Sequence, residues 1–318
     1  MTVFIYEHLT SGALAGETLS PSLMKEGDAM LTAICRDLTA LGCQLTIMRD
    51  SRLPPCKATD ASLSVLSVDS QQRYRQIWQQ SLDQHQQFIV IAPETDGLLE
   101  KLVRQLEERD KVHFGCRASI IALCTDKLEC SRWLTQQGVV TPESVKASDW
   151  SYQARPEASD WIIKPRDGAG CEQTFRMTTN EIRSYLNSLS TAELDKQIVQ
   201  PFIAGMALSL SLFVTETDIT VLSVNRQHIN QSNHALKLNH CEAGREDLIE
   251  PAAVRQLTQQ IHATMPGLWG FVGVDLVKTA DALWLIEINP RLTASYAELS
   301  LIQTANPAQQ LMPYLKED

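Results

Sequence analysis

Phe271-Val272-Gly273-Val274-Asp275-Leu276-Val277, followed after a short connection by Leu283-Trp284-Leu285-Ile286-Glu287-Ile288-Asn289-Pro290-Arg291, is the part of the chain that says most about its fold. Both runs are rich in Val, Ile, Leu and Trp, and Ala280-Asp281-Ala282 is a tight enough connection to pair them antiparallel as a hairpin. In that register Asp275 faces Glu287, and because side chains alternate along a strand, Glu287 and Asn289 share a face. Two opposed carboxylates repel each other. A divalent cation between them makes the arrangement favourable, and the all-oxygen set Asp275, Glu287 and Asn289 suits Mg²⁺ or Mn²⁺ better than Zn²⁺. Arg291, immediately beyond, adds an anion-binding group where substrate phosphates would lie. The alternative for the hairpin alone is an ordinary sheet edge with its polar face in water.

The rest of the composition allows a complete enzyme. The chain has 318 residues, 44% of them hydrophobic and 21% charged, enough for two or three compact units and without a signature of disorder. A net charge of −10 with no long Lys/Arg run argues against a general nucleic-acid binder and against an anionic membrane surface, so an anionic substrate needs a local basic pocket. Met1 to His8 lacks a basic segment leading into a long apolar one, and no apolar run approaches the roughly 18 residues of a membrane span, which together point to a cytoplasmic protein. Eight cysteines are scattered without a C-x-x-C pair and suggest reduced, mostly buried thiols.

Upstream, Val3 to Tyr6 predicts a strand, and Ser20-Pro21 starts a helix whose Leu23, Gly27, Met30, Leu31, Ile34, Leu38 and Leu41 recur at helical spacing until Gly42. Leu45 to Met48, a helix stripe through Tyr74, Ile77, Trp78 and Leu82, a strand at Phe88 to Ala92 and a helix with Leu98, Leu99, Leu102, Val103 and Leu106 follow. This alternation predicts a small, Rossmann-like parallel α/β unit with right-handed crossovers over residues 1–115, which could pair with a second copy across a two-fold axis. Residues 116–318 change character. Thr125 is the expected N-cap of a helix ending at Gly138, and strands are expected at Trp161–Lys164, Thr174–Met177, Gln197–Phe202, Leu208–Val214 and Ile219–Asn225. A helix through Pro251, Val254, Leu257 and Ile261 precedes the acidic hairpin, and 147–159 is the most linker-like stretch.

Between two of these strands, Arg166-Asp167-Gly168-Ala169-Gly170 forms a glycine turn directly after Lys164, and its amides could fold over a phosphate. Alone that is weak evidence, since such a turn is more often only a hairpin. In chain order the parts are more specific. Lys127, Lys164 with its glycine loop, Gln200-Pro201-Phe202-Ile203-x-Gly205, Asp275 and Glu287-x-Asn289-Pro290-Arg291 together resemble the ATP-grasp superfamily. The resemblance implies an ATP-grasp fold in which ATP lies between two α+β lobes over residues 116–318. Lys127, Lys164, Gly168 and Gly170 would lie at its phosphates, and Gln200, Phe202 and Ile203 at its base. It further implies Mg²⁺ or Mn²⁺ on Asp275, Glu287 and Asn289, and Arg291 at the transferred phosphoryl group. One departure is Ala207, where the superfamily often carries a ribose-binding glutamate.

Within the superfamily, Ile5-Tyr6-Glu7, Ala92-Pro93-Glu94-Thr95-Asp96-Gly97, Ser223-Val224-Asn225-Arg226-Gln227 and the segment through Tyr296 are similar to the tyramine-glutamate ligases of methanofuran biosynthesis. That implies a small-molecule ligase joining the γ-carboxylate of glutamate to tyramine or a related aromatic amine through an acyl phosphate, in making a one-carbon carrier cofactor. Arg226 could reach a triphosphate or a substrate carboxylate, with Asn225 beside it, and Glu7 or Glu94, at strand ends, could hold or deprotonate the amine. Asn230 to His240, rich in Asn and His, reads as an unusual loop; His228, His234, His240 and Cys241 lack the spacing of a zinc site. A ligase for another amino acid or peptide, and a non-catalytic nucleotide-binding protein, are the alternatives.

Overall fold

A computed structural model describes residues 1–58, 61–151, 158–168 and 173–317. The first unit is a five-stranded parallel sheet in which β1 (Thr2–Glu7) pairs with both β2 (Gln44–Asp50) and β4 (Gln87–Ile91). The edges are β3 (Leu63–Val68) and the two-residue β5 (Val112–His113), giving the order β3-β2-β1-β4-β5. Helices α1 (Pro21–Thr39), α2 (Gln71–Gln84) and α3 (Leu98–Glu107) supply the crossovers. The central strand is apolar on both faces, with Val3, Phe4, Ile5 and Tyr6 all buried, as a sheet covered by helices on each side requires. Strand β3 was not expected. Its Leu-Ser-Val-Leu-Ser-Val alternation is half exposed on an edge, and such a short run carries little signal.

Two short helices, α4 (Ala118–Thr125) and α5 (Lys127–Gln136), lead into the second unit. The expected cap is displaced by one residue. Thr125 ends α4 with its hydroxyl on Ile121 O, whereas Asp126 is the N-cap of α5, accepting from the Leu128 and Glu129 amides. A carboxylate there satisfies two orphan amides and complements the helix dipole.

The second unit is a nine-stranded sheet whose paired neighbours all run antiparallel. Its members are β6 (Val145–Lys146), β7 (Asp160–Pro165), β8 (Phe175–Thr178), β9 (Gln197–Pro201), β10 (Met206–Val214), β11 (Ile219–Ser232), β12 (Ala235–Glu242), β13 (Gly270–Lys278) and β14 (Leu283–Asn289). The spatial order is β14-β13-β10-β11-β12-β8-β7-β9-β6. Helices α6 (Thr179–Asn187) and α7 (Thr191–Asp195) flank the β7–β9 end; α8 (Pro251–Thr264) precedes the last hairpin and α9 (Ser295–Ile302) follows it. Residues 230–240 are not the loop that their Asn and His content suggested: β11 runs on to Ser232 and returns as β12. No helix of the described residues is long and apolar enough to cross a membrane. Residues 152–157, within the linker-like stretch, lie outside the described residues.

Candidate active site

The β13–β14 hairpin forms in the expected register, with Asp275 opposite Glu287 and Gly273 opposite Asn289. One detail was not visible in the sequence. The pairing passes from Asp275↔Glu287 to Leu276↔Leu285, leaving Ile286 as an extra residue on β14. In a regular strand, residues 285 and 287 would share a face. The bulge lets Leu285 stay in the core while Glu287 turns to Asp275, the re-aiming for which bulges near functional sites are used.

These acidic groups line a cavity of about 610 Å³. Among the described residues its walls carry five cationic side chains, Lys127, Lys164, Arg176, Arg226 and Arg291, against three acids, Glu26, Asp275 and Glu287. A chain of net charge −10 thus does contain the local basic pocket that an anionic substrate needs. Lys164 lies on β7, two residues beyond Ile162, which pairs in register with Gln200 on β9; strand alternation therefore puts Ile162, Lys164 and Gln200 on one face, toward the cavity. Gln200 is also fixed by the Ser144 hydroxyl, at 3.3 Å.

Lys127 ties three elements together. Its backbone amide donates to Arg166 O at 2.9 Å, its ammonium donates to Gly168 O, and the same nitrogen lies 3.0 Å from Glu287 Oε1. Arg166 in turn holds the N-cap Asp126 at 2.5 Å. The start of α5, the loop after β7 and the acidic hairpin are thereby locked to one another. Gly168 lines the cavity; Gly170 lies outside the described residues. Ile203 lines it too, as does Phe202, whose ring lies under the Arg176 guanidinium at 3.9 Å and whose amide is already bonded to Asp160 O. Ala207 is part of the wall, so no side chain there can bond a ribose.

The electrostatics are those of a strained acidic pair. Burial pushes the Asp275 carboxyl up to about 6, and the facing Glu287 adds to the rise. Asn289 Nδ2 at 3.1 Å, Gln227 Nε2 at 2.8 Å and the Lys164 charge pull the other way. Burial opposes ionisation of Glu287 as well, but Lys127, then Lys164 and Arg291, outweigh it and hold that carboxyl below its usual range. One carboxylate is therefore charge-compensated and its neighbour is not. A divalent cation would relieve the remaining repulsion, and the donor set of two carboxylates and an amide fits Mg²⁺ or Mn²⁺.

Arg291 is buried beside Glu94, with Nε 2.9 Å from Oε1, an ionic contact whose N–H is not aimed along the line to the oxygen. Glu94 is thus brought to the site, as the partner of a cation and not as a free carboxylate. Two expectations need correction, Glu7 and Asn225. Glu7 is buried and accepts from the Leu9 and Thr10 amides and the Thr10 hydroxyl, so it closes its own loop and does not line the cavity; burial raises it to about 7. Asn225 is fully buried, donating to the Ser209 and Ser211 hydroxyls beneath the cavity floor. Arg226 lines the cavity as expected; its register partners are Leu208 and Glu242, so it occupies the face of β11 opposite Gln227. Gln227, the residue that does reach Asp275, was not singled out; its signal was its place two residues after Asn225 on a strand that continues further than expected.

This fold and this cavity define the class. Residues 124–295 match the ATP-grasp domain family and residues 43–121 the pre ATP-grasp 3 domain; the first match alone spans over half of the chain, which belongs to the ATP-grasp family. A crystal structure of an ATP-grasp superfamily protein from Archaeoglobus fulgidus is similar at a TM-score of 0.71 and 27% identity, covering 98% of this chain and 88% of that one. The D-alanine–D-alanine ligase of Bacillus anthracis complexed with ATP shares the fold at a TM-score of 0.61 and 13% identity, over 98% of this chain and 96% of that one. In sequence, a tyramine–L-glutamate ligase of Methanocaldococcus fervens is 28% identical over 228 residues, 69% of this chain and 65% of that ligase. The chain therefore spans just under two thirds of that relative's length.

Proposed function

We propose that this protein is an ATP-dependent carboxylate–amine ligase that joins the γ-carboxylate of glutamate to tyramine or a related aromatic amine, in making a one-carbon carrier of the methanofuran type. Residues 1–115 would be its N-terminal unit and 116–318 its ATP-grasp unit. The observation that carries the reading is the opposed pair Asp275 and Glu287 with Lys127, Lys164 and Arg291 on the same cavity. The tyramine–L-glutamate ligase relative supports the choice of substrates.

Lys127, Lys164 and the loop with Gly168 and Gly170 would hold the phosphates, and Gln200, Phe202 and Ile203 the base. Mg²⁺ or Mn²⁺ on Asp275, Glu287 and Asn289 would neutralise phosphate charge. A carboxylate attacking an already anionic γ-phosphate needs that repulsion screened, and Lys164 and Arg291 are the groups of this chain available to do it. The carboxylate oxygen bonds to phosphorus as the bond to ADP breaks, giving an acyl phosphate. The amine then attacks the acyl carbon, loses a proton, and phosphate departs. Water must stay out until the amine has attacked.

The test is to incubate the protein with Mg-ATP, glutamate and tyramine, following ADP release and product mass. A glutamyl-tyramine amide is the expected product. Glutamate-dependent ADP release without it would discard the acceptor, and no ATP consumption with any amine would reject the ligase.

A further inference from the structure

Strand alternation decides which side of the β11–β12 hairpin meets the cavity. Gln227 reaches Asp275, so Ile229 and Gln231, which follow at spacing two, share the cavity face. His228, stacked on His240 with centroids 4.0 Å apart and 3.5 Å from Glu242, marks the opposite face. On the return strand the pairing passes from His228↔His240 to Ile229↔Leu238, leaving Asn239 as an extra residue. Regular alternation inward of Cys241 would have pointed Asn239 and Lys237 into the cavity. The bulge instead points in Leu238 and Leu236, opposite Ile229 and Gln231.

The result is an apolar plate beside the amides of Gln227 and Gln231. Ile229 is 38% and Leu238 41% exposed, and both line the cavity. Cross-strand partners lie about 5 Å apart, so the two side chains together cover roughly the area of one aromatic ring. Large aliphatic groups left this open in a concave site are a surface that a ligand can cover favourably. Ile162, in register with Gln200 where the base would lie, lines the same cavity from β7, on a different strand pair from the β11–β12 hairpin.

We propose that Ile229 and Leu238 are the platform for the aromatic ring of the amine acceptor, with the Gln231 amide placed to bond a polar group on the far side of that ring. The inference rests on the ligase reading and names its specificity residues. The ligand class is an arylalkylamine, and a short aliphatic amine gains nothing from the plate.

Two measurements test it and separate its failure from that of the ligase reading. The first takes Leu238→Asn and Ile229→Asn with Mg-ATP and glutamate, using tyramine or butylamine as acceptor. The KM for tyramine should rise about tenfold in each variant, with the butylamine KM little moved. Equal shifts for both amines would overturn the platform, and a rise in the ATP KM alone would give the plate to the nucleotide. The second is saturation-transfer NMR of tyramine on the wild-type protein, which needs no turnover. Transfer from Ile and Leu methyls, lost in Leu238→Asn, supports the platform even if ATP is not consumed; no transfer with wild type overturns it. Glutamate-dependent ADP release by the wild type reports on the ligase reading separately.

Discussion

Two antiparallel hairpins wall the same cavity and do opposite things with the same device. In β13–β14 the extra residue Ile286 turns Glu287 inward against Asp275, building a wall of charge. In β11–β12 the extra residue Asn239 turns Leu238 and Leu236 inward beside Ile229, building an apolar plate with Gln227 and Gln231 on the same face. On the proposed reading the difference separates two tasks: one hairpin would manage phosphate charge, and the other would present shape to the acceptor. Variants of the first should act on the chemical step and the nucleotide, and variants of the second on the acceptor.

Glu287→Gln tests that division most severely. It keeps the shape and removes the carboxylate that pairs with Lys127, so glutamate-dependent ADP release should fall about a thousandfold or more, while nucleotide affinity by fluorescence titration changes less than about tenfold. A variant that instead behaved like Leu238→Asn, with only the amine KM raised, would collapse the distinction between the hairpins. Arg291→Ala should come next, with turnover down about a hundredfold or more. It also leaves Glu94, 6% exposed, without its cation, so chemical unfolding should show a loss of about 2 kcal/mol. Adding Glu94→Gln should restore most of that stability and none of the turnover, and failure of the restoration would mean that the ion pair is not what Arg291 contributes to folding.

Lys164→Ala belongs on the charged side although it sits on neither hairpin. It should weaken nucleotide binding about tenfold, and an unaltered affinity by calorimetry would remove Lys164 from the phosphates.

The two hairpins also differ in how far the sequence disclosed them. Phe271 to Val277 and Leu283 to Ile288 carry Val, Ile, Leu and Trp on both faces, and the oxygen set stands out against that background, so strand, register and facing carboxylates could all be inferred. Asn230 to His240 reads as loop because the stacked histidines, Asn230 and Lys237 are polar and the inward Ile229, Leu236 and Leu238 interrupt a strict alternation at the bulge. A bulge is a one-residue shift in pairing, set by neighbours far away in sequence, and it leaves no local mark. The same blindness covers the strand faces of Arg226 and Asn225. Their strand was expected, but which face each occupies depends on the partners Leu208 and Ser209, which the sequence does not name. Glu7 failed for another reason: a carboxylate at a strand end was taken to face the cleft, and Thr10, three residues on, captured it. The parallel unit was plain from its alternation of strands and helices, apart from edge strand β3.

The smallest expected effect concerns Asp275 and separates the hairpins by pH. Its carboxyl is raised to about 6, against about 3.9 when unfolded. The folded state therefore holds a proton that the unfolded chain has released, and the sign follows: stability falls as pH rises from about 4 to about 6, and the penalty is complete above that window. Because Asp275 borders an open cavity, water screens part of this, and ~1–2 kcal/mol at pH 8 is the expected size. Unfolding midpoints of wild type and Asp275→Asn, compared at pH 4 and pH 8, should diverge in favour of the variant at the higher pH; the difference between the two pH values is the relevant quantity, since any change in the hydrogen bonds from Gln227 and Asn289 is common to both. Millimolar Mg²⁺ should close the gap by stabilising the wild type alone. Leu238→Asn, which changes no charge, should run parallel to the wild type at every pH. If Asp275→Asn ran parallel too, Asp275 would not carry the raised carboxyl that burial, and after it the facing Glu287, give it.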